Sequence, residues 1–207
     1  MAKEKPILFN GDMVRAILAG RKTQTRRPVK IDMANAFDPP RGKDDVYSGY
    51  PLFEDGEGTW HKAVDCCPFG QVGDRLWVRE TWAEWQPGSP VFKADGSDIT
   101  GHKSDHLVSS WRPSIHVPRW ACRIILEITN IRVERVHDIS EDDAIADGGL
   151  EAMIEDHVWH IPGTDSKTTR DPKYAFEHVW DSIYSARGLG WDVNPWVWVV
   201  EFKKVNQ

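Results

Sequence analysis

A chain of 207 residues with a formal net charge of −6 fits one elaborated domain or two small ones, and its acidity argues against broad, nonspecific binding to duplex nucleic acid. No apolar run approaches the roughly 20 residues that span a bilayer, and Met1 to Lys5 is not followed by the apolar core of a secretory signal. Three cysteines are few and odd in number, which favours a reducing, cytoplasmic setting without a membrane.

The first predicted elements are a short strand and a helix. Residues 6–9 form an apolar run of strand length. Asn10 is a good N-cap for a helix over residues 11–19, whose apolar side chains recur at helical spacing. Gly20 stands where a left-handed C-terminal cap is expected, so the next segment begins at the end of a helix.

The segment that follows is basic and rich in hydroxyls, and reads Gly20-Arg21-Lys22-Thr23-Gln24-Thr25-Arg26-Arg27. Residues 1–30 hold eight Lys or Arg residues against two acidic ones, a local charge of +6 in an acidic chain. This concentration predicts an anion-binding site, and phosphate suits it because a planar guanidinium donates two parallel hydrogen bonds. The alternative is a solvated charged face.

The middle of the chain alternates between loops and strands. Residues 31–60 are acidic, rich in Pro and Gly and without period, which predicts a long insertion. Gly73-Asp74 predicts a turn into a strand over residues 75–82. Residues 86–115 contain further Gly and Pro residues of the kind that form turns, and they are predicted to be a second insertion.

The last third of the chain gives the clearest signals. Residues 119–136 alternate as a strand, with a change of phase near Asn130 that indicates a bulge. Ser140 opens a helix with an acidic first turn, which Gly148-Gly149 ends.

A third insertion is predicted over residues 151–170. Asp171-Pro172 opens another helix, which Gly188 closes, and residues 196–202 are a buried strand. This order predicts an α+β fold with a small curved sheet or barrel and flanking helices.

Several other residues have two interpretations. Glu80 ends an apolar strand, where a carboxylate is costly unless it faces a pocket or forms a salt bridge to an Arg. Most of the 11 tryptophans should anchor the core, although one or two could stack on a base. Residues 111–120 mix aromatic and cationic side chains, Arg119 and Trp120 among them. That mixture suits base stacking and suits equally a proline-stiffened loop.

No metal or cofactor is predicted. His61, Cys66 and Cys67 are poorly placed for one tetrahedral zinc because the two cysteines are adjacent. His157 and His160 have no evident third ligand.

The pattern Gly20-x-Lys22-x-x-Thr25-x-Arg27 resembles the G-x-K-x-x-T-x-R signature of the ASCH family, a PUA-like β-barrel group. The Gly73-Asp74 turn, the long strand and the acidic helix follow in the family's order. The chain is most similar to the larger phage and prophage members. The resemblance implies a single PUA-like domain over residues 1–207, a small β-barrel with flanking helices and with the three insertions outside the matched elements.

The resemblance also implies a function. PUA-like domains bind RNA or modified bases, and the best-understood ASCH members are amidohydrolases that deacetylate N4-acetylcytidine with a Lys, a Thr and a Glu. Those residues correspond here to Lys22, Thr25 and, on the acidic helix, Asp147. Asp is one methylene shorter than Glu, which can misplace a catalytic group.

Amide hydrolysis needs a nucleophile, a base and stabilisation of an oxyanion. Thr25 would supply the hydroxyl, and Lys22 would act as base if burial or nearby cations lowered its pKa. Lys22 and Thr25 can meet only if residues 20–25 turn. The predicted carboxylate is Asp147, with Glu80 as its rival. The predicted substrate-binding residues are Gly20, Arg21, Arg26, Arg27, Arg119 and Trp120.

The sequence therefore predicts a cytoplasmic protein that binds RNA or a modified nucleoside and hydrolyses an N4-acetylcytidine-like amide. A non-catalytic nucleic-acid-binding or interaction module of phage origin is the alternative.

Overall fold

The fold is a mixture of strands and short helices. A computed structural model of the protein describes residues 2–30, 52–54, 60–96, 110–148, 152–153, 158–160 and 168–205. The helices in these ranges are α1 (Gly11–Leu18), α2 (Glu141–Ala146) and α3 (Pro172–Tyr184). The strands are β1 (Glu4–Leu8), β2 (Gln24–Pro28), β3 (Leu52–Glu54), β4 (Trp60–Lys62), β5 (Arg75–Arg79), β6 (Trp82–Gln86), β7 (Ser89–Phe92), β8 (Ile125–Arg135), β9 (Ala152–Met153), β10 (Val158–His160), β11 (Thr168–Thr169) and β12 (Trp196–Val205).

Five strands form the main sheet, in the order β1-β5-β8-β12-β2. The β1–β5 pair is parallel and the other pairs are antiparallel. Three smaller sheets hold β3-β4, β6-β7 and β11-β10-β9. The predicted combination of a sheet with a few helices is confirmed. The described strands leave β1 and β2 as unjoined edges, so the closed barrel stays a prediction.

The two edges of the main sheet nevertheless approach each other. Arg27 in β2 donates its Nη2 to the carbonyl oxygen of Leu8 in β1 at 2.9 Å. In a flat sheet these edge strands would lie about 19 Å apart, at roughly 4.8 Å per strand. One side chain spans the gap, so the sheet is strongly curled.

Strand β12 carries two layers of core because its side chains alternate between the two faces. Trp198, Val200 and Phe202 join the larger core, to which α1 contributes its buried face. Val197 and Val199 pack in a second cluster with Phe176, Trp180 and Tyr184 of α3.

The predicted ends of the helices are confirmed. Asn10 Oδ1 accepts a hydrogen bond from Met13 N at 2.9 Å, and Gly20 has a φ of 74°. Ser140 Oγ accepts from Asp143 N at 3.1 Å, and Asp171 caps α3. These signals are local, which is why the sequence reveals them.

The predicted irregularity in the long strand is also confirmed. Asn130 pairs with Glu201, but Ile128 pairs with Phe202, which leaves Thr129 as the extra residue of a bulge.

Some predicted boundaries are wrong. The strand expected over residues 75–82 ends at Arg79, and β6 begins separately at Trp82. The strand expected from Arg119 begins at Ile125, because residues 119–121 form a 3₁₀ turn after Pro118. Within the second predicted insertion, residues 89–92 form β7, which pairs with β6 in a hairpin.

Most of the predicted insertions at 31–60 and 151–170, and residues 97–109 of the second, lie outside the described residues. The single-domain organisation stays a prediction. No helix in the described ranges combines the length and the apolar character that a membrane crossing requires.

Candidate functional site

Lys22 lies in the short segment between α1 and β2, where two helix ends meet. The backbone amides of Arg21 and Lys22 both donate to Ala16 O of α1, at 2.9 and 3.1 Å. Thr23 N donates to Ala146 O of α2 at 2.9 Å. Because the carboxyl ends of both helices face this segment, their dipoles favour a cation there.

The side chain of Lys22 is buried against Asp147. Its Nζ lies 2.5 Å from Asp147 Oδ1 and also donates to the Asp147 backbone carbonyl. Lys22 is 2% exposed and Asp147 is 4% exposed. The structure thus brings together the lysine and the carboxylate that the resemblance paired.

Gly148 explains how the shorter carboxylate reaches the lysine. Its φ is 66°, and a Cβ added there would lie 2.7 Å from Lys22 Cα and overlap Lys22 Cβ. Without a side chain at this position, the backbone at the end of α2 lies directly against Lys22. The close approach places both the carboxylate and the backbone carbonyl of Asp147 within hydrogen-bonding distance of Lys22.

Burial changes the acidity of Lys22. It lowers the pKa of the ammonium from 10.5 to about 8. The charge and hydrogen bond of Asp147 oppose this shift, while the nearby cations Arg27 and Arg26 add to it. At pH 7 about a tenth of the molecules would therefore carry a neutral Lys22.

Thr25 and Arg27 form a second pair on the opposite face of β2 from Arg26. Thr25 is fully buried, and its Oγ1 accepts from Arg27 Nη1 at 2.7 Å. Arg27 also donates to Arg26 O at 3.0 Å and to Leu8 O. All three of these acceptors are neutral, so these hydrogen bonds do not neutralise the positive charge of Arg27, and no carboxylate of the described residues forms an ion pair with it.

Phe9 joins the two pairs. Lys22 Nζ lies 5.4 Å from the centre of its ring, and Arg27 Cζ lies 5.2 Å from it. Lys22 lies over this ring directly, whereas Thr25 is linked to it only through Arg27. Neither Lys22 nor Thr25 donates a hydrogen bond to the other. The sequence analysis missed Phe9, because an apolar residue before a helix cap carries no signal of such a role.

Arg26 points to the other face of β2, and its side chain is completely buried. It contacts Asp147, Glu134 and Asp143, which neutralise it. Two cations of the basic segment, Lys22 and Arg26, are therefore already paired with acidic residues.

The carboxylates around Arg26 belong to a wider network. Arg132 pairs with Glu134 at 3.0 Å, with Asp143 at 2.5 Å and with Glu201. Gln24 donates to Asp143 Oδ1 at 2.9 Å. Burial opposes ionisation of Asp143, but the hydrogen bond from Gln24 and the charges of the two arginines keep its pKa below the ordinary value.

Glu80 forms the salt bridge that was one of its two interpretations. Both of its oxygens accept from Arg123 at 2.8 Å, and Arg123 also pairs with Asp95. Arg123 Cζ lies 4.1 Å from the centre of the Phe92 ring. Neither a hydrogen bond nor an ion pair links Glu80 to Lys22, Thr25 or Asp147.

The remaining predicted binding residues are placed as follows. Gly20 and Arg21 are exposed beside Lys22. Arg119 pairs with Glu4 at 3.0 Å, and Trp120 is 57% exposed with its ring edge-on to Trp82 at 6.0 Å. Arg119 and Trp120 belong to the proline-rich turn, which the structure does not bring to Lys22.

A small recess adjoins the site, between the basic segment and α3. Arg26, Arg27 and Asp147 line it together with Phe176, Trp180 and other residues of α3. Its volume is about 10 Å³, which is room for about one water molecule. A nucleobase would enter only if the surrounding side chains moved apart. The described part of the chain holds no cluster of three or more His, Cys, Asp or Glu residues suited to a metal ion.

Comparison with known proteins finds a solved structure with low similarity to this chain. The chain matches no protein-family model, and no curated protein is similar to it. A solved ASCH domain from Lactobacillus crispatus JV V101 is similar with a TM-score of 0.41 and 13% identity, over 99% of this chain and 81% of that one. That solved structure is described as an ASCH domain, the same family whose signature the sequence pattern resembles. A TM-score of this size is too low to establish a shared fold, so the signature remains the basis of the resemblance.

Proposed function

We propose that this protein is an ASCH, PUA-like domain that binds a modified nucleoside or RNA beside Lys22, Thr25 and Arg27, and that it hydrolyses an N4-acyl amide of the N4-acetylcytidine type. One observation carries the proposal. A buried lysine with a pKa of about 8 is ion-paired to a buried carboxylate, beside a buried threonine whose hydroxyl is held by an arginine. Perturbed titratable groups of this kind are typical of reactive sites.

The proposed reaction divides the work among four residues. Neutral Lys22 accepts the proton of the Thr25 hydroxyl, and Thr25 Oγ1 attacks the amide carbonyl carbon. Arg27 donates to the oxygen that becomes negative. The Lys22 ammonium returns the proton to the N4 nitrogen as the carbon–nitrogen bond breaks. Water then hydrolyses the acyl-threonine ester, with Lys22 again as the base. Asp147 holds Lys22 and stabilises its charged form.

The unliganded geometry is compatible with this scheme but more closed than the reaction requires. Lys22 donates to Asp147 and Thr25 accepts from Arg27, whereas the scheme needs Thr25 to donate to Lys22. Catalytic hydrogen bonds often form only in the substrate complex. The scheme therefore requires the substrate to displace side chains around Lys22 and Thr25, neither of which lines the small recess.

Binding without chemistry is the second candidate, and one contact favours it. Asp147 Oδ2 accepts from the backbone N–H of Arg26 at 3.0 Å, so the carboxylate also fastens α2 to β2. Its pairing with Lys22 could then be structural, and Arg27 would supply the contact to an RNA phosphate.

Release of cytidine from N4-acetylcytidine separates the two candidates. We expect turnover by the wild-type protein, a loss of at least about 100-fold in Thr25→Val and Lys22→Met, and partial retention in Thr25→Ser. Arg27→Ala should lower kcat because the oxyanion loses a donor. Lys203→Ala, which removes an exposed cation paired with Glu127, is the matched control and should keep full activity.

The negative outcomes are distinct. Absence of turnover, or equal turnover in Thr25→Val, rejects the amidohydrolase. If RNA then binds with an affinity that falls with salt and falls again in Arg27→Ala, the binding module is the correct candidate. If neither nucleoside nor RNA binds, both candidates are wrong.

A further inference from the structure

We infer that Arg26 is a positioning residue of this site, which holds the carboxylate of Asp147 in place against Lys22. The effect on turnover rests on the proposed function, whereas the effect on Lys22 itself does not. Arg26 lies outside the Gly-x-Lys-x-x-Thr-x-Arg pattern, since the arginine of that pattern is Arg27.

The contacts of Asp147 divide between its two oxygens. Oδ1 faces Lys22 Nζ at 2.5 Å. Oδ2 accepts from the backbone N–H of Arg26 at 3.0 Å and lies 3.4 Å from its Nη1. Because both oxygens have partners, the plane of the carboxylate is fixed from two sides. Lys22 holds Oδ1, and Arg26 holds Oδ2.

Arg26 can fix Asp147 because Arg26 is itself held firmly. Its Nε and Nη2 donate to Glu134 Oε1 at 3.1 and 2.7 Å, and Nη2 also donates to Asp143 Oδ2 at 2.9 Å. Its Cζ lies 5.8 Å from the centre of the Phe176 ring. A planar guanidinium with this many acceptors, completely buried, has one available orientation. Its side chain is buried and its donors face carboxylates, so we assign its effect on the site to its contact with Asp147.

Arg26 also acts on Lys22 through its charge. The charged groups that face the Lys22 ammonium are Asp147 from the end of α2, and Arg26 and Arg27 from β2. Removing the Arg26 cation takes away one influence that favours neutral Lys22. A carboxylate that moves more freely would stabilise the Lys22 ammonium less and so act in the opposite direction. A rise of the midpoint therefore reports the lost charge of Arg26, and kcat reports the lost orientation of Asp147.

Arg132 provides a matched comparison within the same network. It contacts Glu134 and Asp143, as Arg26 does, and in addition Glu201, but its hydrogen bonds do not include Asp147. Loss of Arg132 therefore damages the same network of ion pairs and leaves the direct support of Asp147 intact.

The experiment compares Arg26→Gln, Arg26→Lys and Arg132→Gln. Lys22 is titrated by NMR in protein labelled with ¹³C-lysine, and its Cε resonance is assigned as the one that Lys22→Met lacks. We expect the midpoint for Lys22 to rise by roughly 0.5–1 pH unit in Arg26→Gln, and to move much less in Arg26→Lys and Arg132→Gln. With N4-acetylcytidine, kcat of Arg26→Gln should fall about 10- to 100-fold with KM nearly unchanged. Because Lys22 acts in its neutral form, the acidic limb of the pH profile should move with the midpoint.

Equal shifts of the midpoint in Arg26→Gln and Arg132→Gln would overturn the inference, because a general loss of stability would then explain both. If Arg26→Gln does not fold, Arg26→Lys decides. Arg26→Lys keeps the positive charge and loses the planar guanidinium, so an unchanged kcat in a folded Arg26→Lys would show that the orientation of Asp147 does not depend on the guanidinium. An inactive wild-type protein would reject the proposed function alone, since the titration still reports on Arg26.

Discussion

At the scale of single residues, burial decides the chemistry of Lys22. An exposed lysine ammonium is almost fully protonated at neutral pH. In this fold the Nζ has lost its water and gained one carboxylate, and the net effect favours the neutral form. The same burial has a consequence for stability, because the unfolded chain binds the proton more tightly than the folded one.

The contribution of Lys22 to stability should therefore improve as pH rises. Its penalty is complete below about pH 8 and is relieved between pH 8 and the value near 10.5 of an exposed lysine. In that window the free energy of unfolding of the wild type, relative to Lys22→Met, should rise by up to about 1.4 kcal/mol per pH unit. Urea unfolding of both proteins between pH 7 and 10 measures this difference, and the subtraction cancels groups that both share.

A difference that stays flat across this range would mean that the folded protein keeps Lys22 fully charged. A difference that begins to fall only as pH passes about 10.5 would mean that Asp147 outweighs burial and raises the pKa of Lys22 above its ordinary value. Either result would also remove the basis for Lys22 as a base at neutral pH.

The sequence predicts the cations of the site better than it predicts their partners. Lys22, Thr25 and Arg27 follow from a pattern eight residues long, and Asp147 follows only from the family resemblance. Arg26 meets Glu134 and Asp143 across 108 and 117 residues of chain, and no local spacing signals such contacts. For that reason the sequence shows a local excess of positive charge, whereas in the fold Lys22 and Arg26 are paired with carboxylates from distant parts of the chain.

At the scale of elements, the site depends on how closely the end of α2 meets the segment before β2. Gly148 permits that approach through both its left-handed φ and its missing Cβ. Gly188 offers a control, because its φ of 71° is nearly the same but no atom lies within 4 Å of an added Cβ.

We expect Gly148→Ala to destabilise the protein more than Gly188→Ala. Both substitutions carry the left-handed penalty of roughly 1–2 kcal/mol, and Gly148→Ala adds about 1–3 kcal/mol for overlap with Lys22. Urea unfolding gives the two values. Equal losses would show that α2 can move away from Lys22 at little cost, and the separation of Lys22 from Asp147 would then have to be measured directly.

Helix ends are predictable at this scale because each depends on one or two neighbouring residues, as at Ser140 and Asp171. The ends of strands are harder to predict from the sequence. The separation of β5 from β6 at residues 80–81 could not be seen in the sequence, since Glu80 is placed there by Arg123, which is far along the chain.

At the scale of the whole molecule, β12 unites the two layers of core. Val199 faces the α3 cluster and Val200 faces the larger core, and both are fully buried. Substitutions at these two neighbouring residues of β12 therefore test the stability of opposite layers of the core.

Val199→Ala and Val200→Ala should each lower the free energy of unfolding by about 1–3 kcal/mol. Because both layers share β12, each variant should keep a single transition, with coincident curves from tryptophan fluorescence and far-ultraviolet circular dichroism. Two separated transitions in Val199→Ala would show that the α3 layer unfolds independently, and the prediction of one domain would fail.

The class of fold could be predicted from the order of strand and helix signals, but the strand order could not. Nothing in the sequence of β1 marks it as the parallel partner of β5, and nothing in β2 marks it as the neighbour of β12. Such pairings depend on the packing of the whole sheet.

The strand order also bears on how the site is assembled during synthesis. Residue 24 pairs with residue 201, so β2 emerges from the ribosome long before its partner exists. Until β12 is made, Thr25 and Arg27 belong to a strand without its sheet neighbour, and Lys22 lies just before that strand. Pairings across so much sequence close slowly. The pairing that completes the sheet beside Lys22 and Thr25 should therefore form in one of the last steps of folding.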